Sequence, residues 1–156
     1  MDSHSIQHLC KLLPAPTDLV LRRFFPEWLK RITRKRIESY ELRDLNYDAP
    51  AYVPSLSGCF MFARRSVLRA VGGFDERFFL YMEDVDLCRR MLERSQLLYW
   101  PAVSVRHVHQ MGSYRNRQLL LMHVRSAIQY FNKWGWFRDK KLEEMNRSVK
   151  QEYLQK

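Results

Sequence analysis

The rhythm of apolar and polar positions changes several times along this chain, and each change marks an element. The first residues are polar and run up to Pro14 and Pro16, which disfavour helix just before them and predict an extended lead-in. Thr17 or Asp18 then stands where a helix cap is wanted. Over residues 19–40, Leu19, Val20, Leu21, Phe24, Phe25, Trp28, Leu29, Ile32 and Ile37 alternate with Arg22, Arg23, Lys30, Arg31, Arg34, Lys35 and Arg36. That is a basic helical pattern, broken or restarted at Pro26. Residues 52–62, YVPSLSGCFMF, are rich in β-formers and small residues and predict a buried strand, with Gly58 where a backbone or ligand comes close. Residues 64–71 predict a helix through Val67, Leu68 and Val71, stopped by Gly72 and Gly73. Residues 84–93 predict another, with Leu87, Cys88, Met91 and Leu92 inward and Arg89, Arg90 and Arg94 outward. Short strands at 97–100 and 103–108 flank Pro101. Residues 118–134 predict a long helix, and 140–156 a charged, loosely held terminal helix. No internal repeat and no low-complexity segment interrupts this order.

Composition narrows the picture. With 156 residues, 46% of them hydrophobic and 13% aromatic, the chain can bury one core and is not a disordered protein. The net charge of +10 favours an anionic partner: nucleic acid, a phosphorylated substrate or an acidic membrane surface. Nucleic acid has the least support, because no base- or backbone-reading motif accompanies the charge. Cys10, Cys59 and Cys88 are widely spaced, so neither a disulfide framework nor a cysteine-rich zinc site is indicated, and a reducing cytoplasm is the simplest setting. No secretory signal and no apolar run of about 18 residues is present. Membrane contact is therefore expected to be peripheral, through the basic stretch 19–40, whose competing reading is the solvated face of a core helix.

The chemistry concentrates in residues 72–90, GGFDERFFLYMEDVDLCRR, where Glu83, Asp84 and Asp86 fall between an aromatic loop and a basic helix. Acidic residues in a first helical turn complement the macrodipole for roughly 0.3–1 kcal/mol each, which is reason enough for any one of them. The run Phe74, Phe78, Phe79 and Tyr81 just upstream adds a wall that can exclude water and strengthen a carboxylate's interactions. A carboxylate held at a loop-to-helix junction can deprotonate a hydroxyl or bind a metal, so the cluster points to an enzyme site.

Together with SGCFMFARRSVLRAVGGFDERFFLYMEDVDLCRRM and LLYWPAVSVRHVHQMGS, these residues resemble the C-terminal half of family 2 glycosyltransferases of the bacterial rhamnosyltransferase type, over about residues 2–134. The resemblance implies an α/β protein, the C-terminal portion of a GT-A fold with helices following it. It also implies inverting transfer of a sugar from a nucleotide-diphosphate donor to a lipid-linked or polysaccharide acceptor. Asp84 would be the general base, Glu83 would orient the acceptor or share that role, and Asp86 would contact substrate or, more simply, steady the loop. His107 would bind Mg or Mn beside an Asp-x-Asp motif of the first half, with His109 as the fallback. His123 gains no such role from the pattern. Ser57 and Gly58 match small residues facing the donor sugar, or else a strand packed closely on a helix. Arg115 and Arg125 are candidates for diphosphate oxygens, because a guanidinium fork suits them. Arg117 reads as helix surface.

The departure from the family is its opening: no strand-led nucleotide-binding segment and no Asp-x-Asp precede the Ser-Gly stretch, apart from scattered acids such as Asp44 and Asp48. The expectation is residues 1–136 as the acceptor and catalytic half of such a domain and 137–156 as a charged terminal helix or tail, with little transfer unless a partner supplies the rest. The alternative is a non-catalytic module that binds an acceptor or a membrane.

Overall fold

A computed structural model of the chain describes residues 7–107, 114 and 116–154. Helix dominates: α1 (Pro16–Phe24), α2 (Glu27–Ile32), α3 (Arg34–Tyr40), α4 (Arg65–Ala70), α5 (Glu83–Leu92), α6 (Arg117–Trp134) and α7 (Lys140–Leu154). The sheet is small, with β1 (Ala51–Tyr52) antiparallel to β2 (Leu98–Tyr99), Ala51 opposite Tyr99 and Tyr52 opposite Leu98. A single bridge between Lys11 and Ser55 ties the lead-in to the chain after β1. The class is mixed α and β, as expected, with less sheet than the sequence predicts.

Local chemistry explains most boundaries. Pro16 opens α1, where its missing N–H costs nothing. Asp18 Oδ2 accepts from the Ala15 N–H at 2.9 Å, so Asp18 secures the helix start from inside, and Ala15 occupies the cap itself. Pro26 separates α1 from α2, as its ring requires. Gly72 and Gly73, at φ of 76° and 69°, end α4 in the left-handed region that side chains avoid.

The predicted strand over 52–62 shrinks to its start. Pro54 cannot donate to a ladder, and the chain beyond it turns outward, leaving Phe60 and Phe62 exposed. Residues 103–107 likewise form no strand.

Three apolar clusters hold the helices. Cys10, Leu12, Tyr40, Leu42, Leu45, Tyr47 and Val53 pack beside the sheet. Leu87, Cys88, Met91 and Leu97 pack with Val67 and Leu68 of α4. Phe78, Met82, Tyr130 and Phe131 join the loop before α5 to α6, with Leu19 of α1 against them. Each such side chain, fully buried, contributes roughly 1.5–3 kcal/mol. That exceeds what any first-turn charge offers, so packing sets where α5 lies.

Two arginines of α5 expected outward are covered instead, Arg89 by the end of α6 and the chain after it, and Arg90 by the turn that ends α4. Arg89, expected outward, is buried, its guanidinium 4.2 Å from the Trp134 ring and 2.6 Å from Asp139. Arg90 is half-buried, bonded to Asp86 and to the carbonyls of Val71 and Gly73. Only Arg94 stays outward. The terminal helix is also docked and not loosely held: Asn146 of α7 accepts from the Leu13 N–H and donates to the Leu13 carbonyl, both at 2.9 Å, and Val149 is buried. Among the described residues no helix is long and apolar enough to cross a membrane.

Candidate functional site

The turn into α5 is strained. Tyr81 and Met82 both adopt left-handed backbone, at φ of 67° and 65°, which costs of order 1–3 kcal/mol for each non-glycine residue. Packing holds them there. Met82 is buried, the Tyr81 ring stacks on His123 of α6 at 4.5 Å, and buried Ser126 donates from Oγ to the Leu80 carbonyl at 2.7 Å. The turn delivers Glu83 and Asp84 to the start of α5.

Asp84 is half-buried and anchored at both oxygens: Oδ2 accepts from the Gly58 N–H at 2.9 Å, and Oδ1 accepts from the Val85 N–H at 2.8 Å. A carboxylate has about four acceptor sites, so the anchoring fixes its direction and leaves lone pairs for a substrate proton. Gly58 lies so close that an added Cβ would stand 3.2 Å from the Asp84 Cβ. The small-residue stretch and the acidic cluster, separate in sequence, thus meet here. Ser57 is half-buried beside them, its Oγ accepting from the Cys59 N–H at 3.4 Å.

Glu83 is half-buried, and its Oε2 is buried with no hydrogen-bond partner among the described residues. Burial, followed by the neighbouring Asp84 charge, pushes its carboxyl above the usual range. Asp86 goes the other way. It is fully buried, bonded to Arg90 Nε at 2.8 Å, Trp134 Nε1 at 2.8 Å and Lys133 Nζ at 2.7 Å. Asp86 has no exposed surface, which does not fit the substrate contact expected of it. Lys133 also holds Asp75, at 2.7 Å, and Arg77 first, with Lys133, keeps that carboxyl well below its ordinary range.

The aromatic wall is only half built. Phe78 is buried and Tyr81 half-buried, but Phe74 and Phe79 face solvent. His107 is exposed, with Nδ1 3.2 Å from Gln7 Oε1 and its carbonyl accepting from Gln7 Nε2. Among the described residues no three His, Cys, Asp or Glu side chains converge to hold a metal. Mg and Mn favour several oxygens, which these residues do not bring to His107. Arg125 and Arg117 are exposed on α6, while His109 and Arg115 lie outside the described residues.

The pattern reading missed the support from α6. Ser126, Tyr130 and Lys133 recur at helical spacing on one face and reach the loop before α5 or Asp86. The legible signal was a small polar residue and a lysine in line with an aromatic core position. His123 was also passed over. It is half-buried, and burial, then Arg22, Arg23 and Lys11, lower its pKa to about 4.

No family model and no solved structure matches the chain. Curated proteins do. In two strains of Mycobacterium tuberculosis, proteins named N-acetylglucosaminyl-diphospho-decaprenol L-rhamnosyltransferase are 33% identical over 140 residues, covering 86% of this chain and 43% of theirs. Rhamnosyltransferase WbbL of Escherichia coli is 34% identical over 76 residues, covering 47% of this chain and 29% of its own length. The chain is therefore a relative of the family 2 type rhamnosyltransferases, of which it spans less than half the length.

Proposed function

We propose that this chain carries the acceptor side of an inverting sugar-transfer site of GT-A type, with Asp84 as general base. The donor is a nucleotide-diphosphate sugar, and rhamnose is the sugar in the relatives' names. The acceptor is a lipid-linked or polysaccharide sugar; one relative's name specifies a diphospho-decaprenol carrier. The observation that carries the reading is the Asp84 carboxylate, fixed by the Gly58 and Val85 N–H groups at the exit of a strained turn.

In that scheme Asp84 takes the proton of the acceptor hydroxyl as its oxygen attacks the anomeric carbon. The bond to the donor's diphosphate breaks from the opposite side, and its electron pair leaves with the diphosphate, inverting the centre. Burial favours the neutral form of Glu83, which suits a hydrogen bond to the acceptor better than service as a second base. Ser57 and Gly58 remain candidates for facing the donor sugar, and the absent Gly58 side chain lets the Asp84 carboxylate close on its N–H. Arg115 and Arg125 remain candidates for diphosphate oxygens. A Mg or Mn ion on His107 would neutralise the leaving diphosphate, and its remaining ligands would have to come from outside the described residues.

The test puts the chain in place of the matched region of a full-length relative and measures transfer from a nucleotide-diphosphate rhamnose to a prenyl-diphosphate-linked sugar. Transfer that falls by two or more orders of magnitude in Asp84→Asn supports the reading. Undiminished transfer in a folded Asp84→Asn protein refutes it. The chain alone, assayed in parallel, is expected to show little transfer.

A second reading has its own observation. Trp28 and Ile32 of α2, one turn apart, are 67% and 73% exposed beside Arg31, Arg34 and Lys35. An apolar pair with cations around it suits an anionic membrane surface, and would bring the site to a lipid-linked acceptor. Flotation with anionic vesicles that is lost in Trp28→Ser/Ile32→Ser supports it; flotation indifferent to that change rules it out.

A further inference from the structure

Asp84 and its partner Gly58 are supported from different places. The Gly58 segment is tied to the middle of α5. Buried Cys88, one turn after Asp84, accepts from the Leu56 N–H through Sγ at 3.4 Å and donates to the Leu56 carbonyl at 3.6 Å. Asp84 and Cys88 thus hold Gly58 and Leu56 in matching order along the helix. On its other side the same segment is fixed by the bridge from Lys11 to Ser55.

The first turn of α5 has no such tie. Met82 stands at its cap with left-handed backbone and gives the helix start no side-chain hydrogen bond. Where Asp84 stands therefore depends on residues 80–82, and α6 holds these. His123, Ser126 and Tyr130 share one face of α6. The His123 ring stacks on Tyr81 at an interplanar angle of 22°, Tyr130 packs in the cluster that buries Met82, and Ser126 Oγ donates to the Leu80 carbonyl at 2.7 Å. Stacking and apolar packing tolerate sliding, whereas a hydrogen bond weakens steeply away from its geometry. Two consecutive non-glycine residues stay in left-handed backbone only where their surroundings impose it.

We propose that Ser126 is a positioning residue for Asp84: its bond to the Leu80 carbonyl holds the strained turn, and the turn sets the carboxylate against the Gly58 N–H. Without that bond the turn relaxes and the first turn of α5 shifts with it. Gly58, tied to Cys88 deeper in the helix, does not follow. The consequence for catalysis rests on the transferase reading of Asp84; the placement of the carboxylate does not.

Amide proton exchange with water, followed by NMR on the folded chain, tests the placement. Alanine suits a helix interior, so Ser126→Ala is expected to fold. In it the Gly58 N–H should exchange about tenfold faster, while the Leu13 N–H, bonded to Asn146 of α7, keeps its rate. Ser126→Thr retains the hydroxyl and should restore the protection of Gly58. With the chain in place of the matched region of a relative, Ser126→Ala should lower kcat about tenfold with little change in the acceptor KM, and Ser126→Thr should recover it. An unchanged Gly58 rate in Ser126→Ala overturns the proposal, and so does equal acceleration at Gly58 and Leu13, the mark of general loosening. Faster exchange at Gly58 alone, beside transfer indifferent to Asp84→Asn, supports the placement and refutes the base, so the two failures are distinguishable.

Discussion

Two groups of charges flank α5, and they are built differently. On the α6 side, Asp75, Asp86, Arg90 and Lys133 close on one another at 2.7–2.8 Å, with Trp134 Nε1 completing the shell of Asp86. On the α1 side, among the described residues, Lys11 and Arg22 lack ion-pair partners and Asp84 bonds only to backbone N–H groups. Burial explains the contrast. A fully buried carboxylate must be matched within the protein, whereas half-buried groups can wait for a ligand. Asp84 and Asp86, two positions apart, therefore differ in setting: one is half-buried and held by backbone N–H groups, and the other is buried among the side chains that fix α5.

The largest effect that sharpens this contrast is on stability. Asp86→Asn removes the charge partner of Arg90 and one of the two carboxylates on Lys133, and is expected to cost about 3–5 kcal/mol, read as a lower urea midpoint at unchanged slope. Asp84→Asn in the chimera is expected to cost transfer about 10²–10⁴-fold while moving the midpoint little, because an amide oxygen can still accept from Gly58. If Asp84→Asn unfolds the protein as Asp86→Asn does, the division of labour is wrong. Gly58→Ala is smaller: its Cβ would press on the Asp84 Cβ at 3.2 Å, so transfer should fall several-fold with a stability loss of about 1 kcal/mol.

A further effect is a pH dependence. His123 binds a proton less readily folded, near pH 4, than its ordinary value of 6.5. The unfolded chain then holds more protons between those values, so stability is full above about pH 6.5 and declines as pH falls toward 4. His123→Gln should flatten that limb of a pH series of urea midpoints. Asp75, held below its ordinary range by Arg77 and Lys133, adds a loss at still lower pH that His123→Gln leaves intact.

Much of the helix order was legible because periodicity, Pro16, Pro26, Gly72 and Gly73 are local signals. The acidic cluster was legible for the same reason, three carboxylates within one turn. The strand over 52–62 was misread because β-propensity says nothing about the partner strand, and β2 offers only Leu98 and Tyr99 to pair. Arg89 was misread because an arginine's burial depends on what lands on it, here Trp134 and Asp139 from 45 and 50 positions further along the chain.

The sequence by itself determined where most helices start and stop, that the chain is strongly basic, and that three carboxylates gather at residues 83–86, since each follows from neighbours within a few positions. Tertiary structure alone decided that Asp86 is buried among Arg90, Lys133 and Trp134 and that Gly58 rests against Asp84. Those facts depend on contacts between distant segments, where burial and unmet charge set the energies and no local pattern records them.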